Sequence, residues 1–253
     1  LWGVFYFACL RQSQGRFKEM EDLNRQGLLQ SEQAGQEAWR MMWLEDMAQS
    51  ELNRGHYSQA LPLFERIRTR AAAADEPEQE MRAILGQGLV QVGLKDLETA
   101  RKTAVDLKAL IESSRIDYMM QTWYFLQGRI TCAEKQYDRA IANFEKGRAL
   151  LGYTSAGHIR FLNELGRTAA LARDWERARR KYTQLTRLNV GRMDYGDIYV
   201  KAFYHLGRIH EELNSRNEAV QNYRIFLDLW KNADAGIPEL EEARKHLASL
   251  TGE

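Results

Sequence analysis

Small residues return about every 40 positions along this chain, each followed twelve positions later by a second small residue and four beyond that by an aromatic. The sets are Ala48, Ala60 and Phe64; Gly128, Ala140 and Phe144; Gly166, Ala178 and Tyr182; and Gly207, Ala219 and Tyr223. Gly88 and Ala100 fit the same frame, and Ala8 and Met20 fit it loosely. The anchors at 8, 48, 88, 128, 166 and 207 stand 40, 40, 40, 38 and 41 residues apart. A fixed period of that length marks a solenoid, in which one supersecondary unit buries its apolar face against its neighbours.

Within each period the apolar spacing predicts two amphipathic helices, A and B, joined by a polar turn. Where A and B cross closely, a side chain beyond methyl pushes the backbones apart, so Gly or Ala belongs at the crossing and Phe or Tyr beside it. Gly15 and Gly55 supply the positive φ of a tight helix-to-helix turn. Asp96, Asp174 and Ser215 stand where an N-cap belongs, and Ser215 with Glu218 has capping-box spacing. Looser stretches at Gln30 to Gly35, Ala74 to Glu78, Gly152 to Gly157 and Asn189 to Gly196 read as loops between repeats. The expected architecture is all-α: a right-handed superhelical solenoid of about six helix pairs over residues 1–34, 35–75, 76–115, 116–153, 154–193 and 194–235. A capping helix over 238–250 follows, with Pro238 in its first turn and Glu241, Glu242, Arg244 and Lys245 on its outer face.

Charge narrows the partner classes. Lys and Arg number 36 against 35 Asp and Glu, a net charge of +1, which gives no general attraction to nucleic acid or anionic membrane. The apolar run Leu1 to Leu10 is half the length of a membrane span and lacks a basic leader, so no membrane insertion is expected. It reads as half a repeat. A chain that starts inside a repeat helix without methionine reads as a fragment of a longer protein. Its N-terminal end, with Leu1, Trp2, Val4 and Phe5, has no evident cap, which leaves self-association through that end open. Cys9 and Cys132 sit three repeats apart, too far for a disulfide across stacked repeats, and two thiols lean toward a reducing, cytoplasmic compartment.

The paired anchors resemble the tetratricopeptide repeat family. Leu165-Gly166 with Trp175, Ala178 and Tyr182, and Leu206-Gly207 with Ala219 and Tyr223, match its helix A and helix B positions. Tyr57, Ala60 and Phe64, and Tyr137, Ala140 and Phe144, supply the second half in two other repeats. The chain departs from the family in a period longer than 34 residues and in Ala104, which stands where an aromatic belongs. The stretch Phe226 to Asp234 with Ile237-Pro238-Glu239-Leu240 is similar to the end of repeat regions in large bacterial signalling proteins, serine/threonine kinases and transcriptional activators among them. That likeness implies a regulatory region that takes a small ligand or its own effector domain.

No catalytic constellation stands out. There is no phosphate-cradling glycine motif, CxxC or HExxH, and His205 and His210 lie five apart rather than on one helix face. The chain therefore reads as a non-enzyme without metal or cofactor. Acidic pairs such as Glu241-Glu242, and the basic cluster Arg179, Arg180 and Lys181, read as solvated helix surface.

The family resemblance implies a concave groove lined by helix A. Those positions are Trp2, Phe5 and Cys9; Met42, Glu45 and Gln49; Arg82, Leu85 and Leu89; Thr122, Phe125 and Arg129; Arg160, Asn163 and Arg167; Lys201, Tyr204 and Arg208. Trp2, Phe5, Met42, Leu85 and Leu89 make an apolar half. Arg129, Arg167 and Arg208 recur at one place in three successive repeats as a ladder, beside Arg160, Lys201, Asn163, Tyr204 and Phe125. Guanidinium groups so spaced can hold carboxylates bidentately, which points to an acidic peptide or protein segment as partner. They equally suit ion pairs with neighbouring acids that keep the face soluble.

Overall fold

From Gly15 to Lys135 the chain turns every twenty residues. Gly15, Gly35, Gly55, Asp75, Lys95, Arg115 and Lys135 all have positive φ, between 55° and 77°. At each turn the residue after the left-handed one donates its N–H five residues back, as His56 does to Glu51 O at 2.9 Å and Gln136 to Thr131 O at 2.9 Å. This is a Schellman ending, and its last residue is already the N-cap of the next helix. The computed structural model describes residues 1–252.

The helices are α1 (Trp2–Ser13), α2 (Phe17–Gln33), α3 (Glu37–Asn53), α4 (Tyr57–Ala73), α5 (Pro77–Gly93), α6 (Leu97–Ser114), α7 (Met120–Ala133), α8 (Tyr137–Ala149), α9 (His158–Leu171), α10 (Trp175–Thr186), α11 (Gly196–Glu212), α12 (Arg216–Leu229) and α13 (Pro238–Thr251). A 3-10 turn at Asp117–Met119 precedes α7. All described regular structure is helical; from α3 to α8, and again from α9 to α13, each helix packs against the next as in a helical repeat. Two of the expected inter-repeat loops are corrected. Gln30 to Gln33 belong to α2, and α5 resumes at Pro77, so these joints between repeats are as short as those within them. From α2 to α5 the extra length of the period lies in helices of 17 residues, whereas after α8 and α10 it lies in the loops. Gly152–Gly157 and Asn189–Tyr195 are loops as expected.

The chain forms two compact units. The first holds residues 24–151, with the rest of α2 and α3 to α8. Its core joins Met41, Leu44 and Ala48 of α3 to Ala60, Phe64, Ile67 and Ala71 of α4 and to Ala83 and Val90 of α5. A Cβ on Gly128 would stand 2.4 Å from the Phe144 ring, so glycine and aromatic are one fitted pair. In the repeat where Ala104 replaces the aromatic, Gly88 instead admits Leu126 of α7, which a Cβ would meet at 2.6 Å.

The second unit takes residues 2–23 together with 152–252. Gly166 and Gly207 lie under Tyr182 and Tyr223, both fully buried. The α1–α2 turn docks against the ends of α11 and α12. Trp230 Nε1 donates to Ser13 O at 2.9 Å, Asp234 N to Gly15 O at 3.0 Å and Lys18 N to Asp234 Oδ2 at 2.9 Å. Phe17 meets the buried Trp230 edge-on, with ring centroids 5.9 Å apart. Gln12 Nε2 donates to the buried Asp197 at 3.0 Å. Repeats in a solenoid touch only their neighbours; this contact joins residues more than 180 positions apart.

Asp96 and Asp174 cap as the sequence predicts, accepting from Thr99 N at 3.1 Å and Arg177 N at 3.0 Å. Ser215 does not, and its side chain makes no cap hydrogen bond. The neighbouring Arg216 instead donates from Nε to Leu250 O at 2.7 Å, tying α12 to the end of α13. Cys9 and Cys132 are buried thiols. No described helix is long and apolar enough to cross a membrane.

Candidate functional site

The predicted lining residues divide by burial. Leu85, Leu89 and Phe125 in the first unit are 5%, 3% and 5% exposed, so they are core and offer no open surface, which corrects their assignment to a binding face. The cause is packing on several sides, since α5 meets α3, α4, α6 and α7, and α7 meets α5, α6 and α8; Phe125 packs edge-on against Phe144 at 5.6 Å. Met42 and Arg129 are half-buried in that unit, and Arg82 is exposed beside Glu78 at 3.8 Å. Burial pushes the Glu45 carboxyl up against the opposing pull of Arg82. Trp2 is 61% exposed in the second unit and stacks on Tyr6 at 5.8 Å, with Phe5 half-buried at its edge.

The second unit brings the remaining residues together. Lys201, Tyr204, His205 and Arg208 fall on α11 at spacings of three, one and three, so they share one side of that helix. Arg167 of α9 holds both Nε and Nη2 on Glu164 Oε2, at 3.0 and 2.6 Å. Glu164 is itself buried, which makes this pair a fixed one. Arg160 lies over the Tyr195 ring at 5.8 Å, and Asn163 is half-buried one turn before Arg167.

The acids that meet α11 come from α13. Lys201 Nζ lies 2.6 Å from Glu239 Oε1, and Arg208 Nη1 lies 3.1 Å from Glu242 Oε2. Tyr204, although buried, donates its hydroxyl to Glu242 and accepts from Arg208 Nη1 at 3.1 Å. Burial, with help from the Glu242 bond, pushes the Tyr204 phenol up to about 12. Burial pushes the Glu239 carboxyl up, but the charge and hydrogen bond of Lys201, together with a backbone hydrogen bond, hold it below its usual range. Glu242 thus departs from a purely solvated role, although its side chain stays 50% exposed.

His205 sits among these groups and stacks on Tyr182 at 4.9 Å. Burial and the nearby Lys201, Arg167 and Arg208 push its imidazole down to about 4, against the opposing charge of Glu239, so it is neutral at physiological pH. In the sequence, His205 stands out only as a candidate metal ligand. The usable signal was its place between Lys201 and Arg208, together with the Glu239–Glu242 spacing on the last helix. Among the described residues no three His, Cys, Asp or Glu side chains gather as a metal site requires. Chemically, this face pairs three cations with three carboxylates of the same chain.

No family model matches the chain and no curated protein is significantly similar to it. Solved structures do match in fold. One is that of BtubC (BKLC) from P. vanneervenii, with a TM-score of 0.61 at 15% identity over 83% of each chain. At that identity the likeness is one of fold: this chain shares a helical architecture with that protein.

Proposed function

We propose that the chain is a non-catalytic protein-interaction scaffold that takes an acidic segment of a partner on the α9–α11 face, with Arg167, Lys201 and Arg208 as anchors. The observation that carries this reading is the way α13 meets that face. Its carboxylates at i and i+3, Glu239 and Glu242, engage cations at i and i+7 on α11. An acidic helix is thus the ligand shape this face already accommodates. Arg208 and Glu242 are 46% and 50% exposed, and an exposed ion pair contributes at most about 1 kcal/mol, so an incoming carboxylate displaces Glu242 at little cost. The buried part of α13, Leu240 and Ala243, stays in place as the cap. Arg160 and Asn163 flank the anchors and extend the face along α9. The repeats are read as tetratricopeptide-like on Leu165-Gly166 and Leu206-Gly207, and the buried thiols Cys9 and Cys132 suit a cytoplasmic setting.

The test is fluorescence anisotropy of a labelled Glu-rich peptide against the full chain. Reversal of all three cations, Arg167→Glu, Lys201→Glu and Arg208→Glu, is expected to weaken binding at least about a hundredfold, each lost charge-assisted contact being worth roughly tenfold. Because Arg167 also neutralises the buried Glu164, a Lys201→Gln and Arg208→Gln variant serves as the fold-preserving check. Unchanged affinity in both variants contradicts the proposal.

A further inference from the structure

A second cationic surface lies on α10, away from the anchors just described. Between Asp174 and Arg187 the sequence places five basic residues against two acidic ones, a local excess of three in a chain whose whole net charge is +1. The two acids are spent locally: Asp174 pairs with Arg177 at 3.2 Å and Glu176 with Arg179 at 2.8 Å. Among the described residues, Arg180 and Arg187 are exposed and pair with no carboxylate. They stand two turns apart, about 10 Å along the axis, with Thr183 and Gln184 between them on the same side. A shallow hollow is lined by Arg179, Arg180, Thr183, Gln184, Arg187 and Leu188.

The end of a helix normally repels an anion through its free carbonyls. Here that end is covered. Arg192 donates from Nε to Leu188 O at 2.6 Å and from Nη2 to Thr186 O at 3.3 Å. The same guanidinium lies over the Tyr199 ring at 4.3 Å, which fixes its position. Arg187 is therefore left to the hollow rather than to the carbonyls beside it.

From these features we infer that the α10 hollow binds a phosphorylated side chain in a partner protein. Two guanidinium forks, a hydroxyl and a carboxamide offer more donors than the two oxygens of a carboxylate need, and they match the three oxygens of a phosphate monoester. This surface is distinct from the α9–α11 face, and either can fail without the other.

The experiment titrates the full chain with a labelled phosphoserine peptide, its unphosphorylated twin, inorganic phosphate and a single-stranded oligonucleotide. The phosphopeptide is expected to bind at least about tenfold more tightly than its twin, and Arg180→Ala with Arg187→Ala to remove that difference. Both arginines are exposed, so the thermal midpoint stays unchanged and binding of the Glu-rich peptide is retained. Equal binding of the twin, or an undiminished preference in the double variant, overturns the proposal. Displacement by inorganic phosphate at the peptide's own concentration assigns the hollow to the free anion and overturns the partner. An oligonucleotide that outcompetes the phosphopeptide assigns it to nucleic acid instead.

Discussion

At the scale of single residues, the sequence pattern identified which side chains must be small, and the structure shows what each one admits. A Cβ on Gly166 would lie 2.6 Å from the ring of Tyr182, which is buried and cannot swing aside. Gly166→Ala is expected to cost about 1–3 kcal/mol by overpacking, whereas Gly152→Ala, with nothing within 4 Å, leaves the denaturation midpoint in place. The left-handed turn residues were not legible in the same way. Gly15 and Gly55 announce themselves, but Lys95, Arg115, Lys135 and Arg173 adopt that conformation only because the Schellman hydrogen bonds and the next helix impose it. His205 carries a prediction with a definite sign. The unfolded imidazole binds its proton near 6.5 and the folded one near 4, so the unfolded state holds more protons between those values. The stability contributed there is fully present above pH 6.5 and is lost as pH falls toward 4, a span worth on the order of 3 kcal/mol. Urea unfolding of the wild type should show that slope, and His205→Gln should flatten it. An equal slope in the variant would assign it to other groups.

At the scale of helices, the A and B pairing and the terminal cap followed from periodicity because each depends on neighbours in sequence. What periodicity could not show is a contact set by the whole chain. The α1–α2 turn meets α11 and the end of α12 in part through backbone groups of Ser13 and Gly15, and backbone groups leave no trace in a hydrophobic pattern. The aromatic pair Phe17 and Trp230 and the polar pair Gln12 and Asp197 are side-chain clues to it, but neither pair is marked by the repeat. Trp230→Phe keeps most of the buried ring but strands Ser13 O, at a cost of about 1–3 kcal/mol. Trp230→Ala adds the cavity, for a loss of about 3–5 kcal/mol. Hydrogen exchange should locate the effect: amides of α1 and the start of α2 lose protection together with α12. If α1 kept its protection in the alanine variant, the docking contact would not be what holds it.

At the scale of the molecule, the chain forms two compact units of helix pairs, and the second presents two cationic surfaces on a chain of nearly zero net charge. The spacing of Lys201 and Arg208 was readable, because one helix carries both. Their carboxylate partners on α13 were not, since Glu239 and Glu242 become partners only when the last helix packs against α11. In the proposed function, charge on the α9–α11 face selects an acidic segment, and a charge swap tests this most directly. Wild-type chain and the Lys201→Glu, Arg208→Glu variant are each titrated with a Glu-rich and a Lys-rich peptide of equal length. Wild type is predicted to prefer the Glu-rich peptide and the variant to reverse that preference. A variant that keeps the wild-type preference would contradict the proposed function.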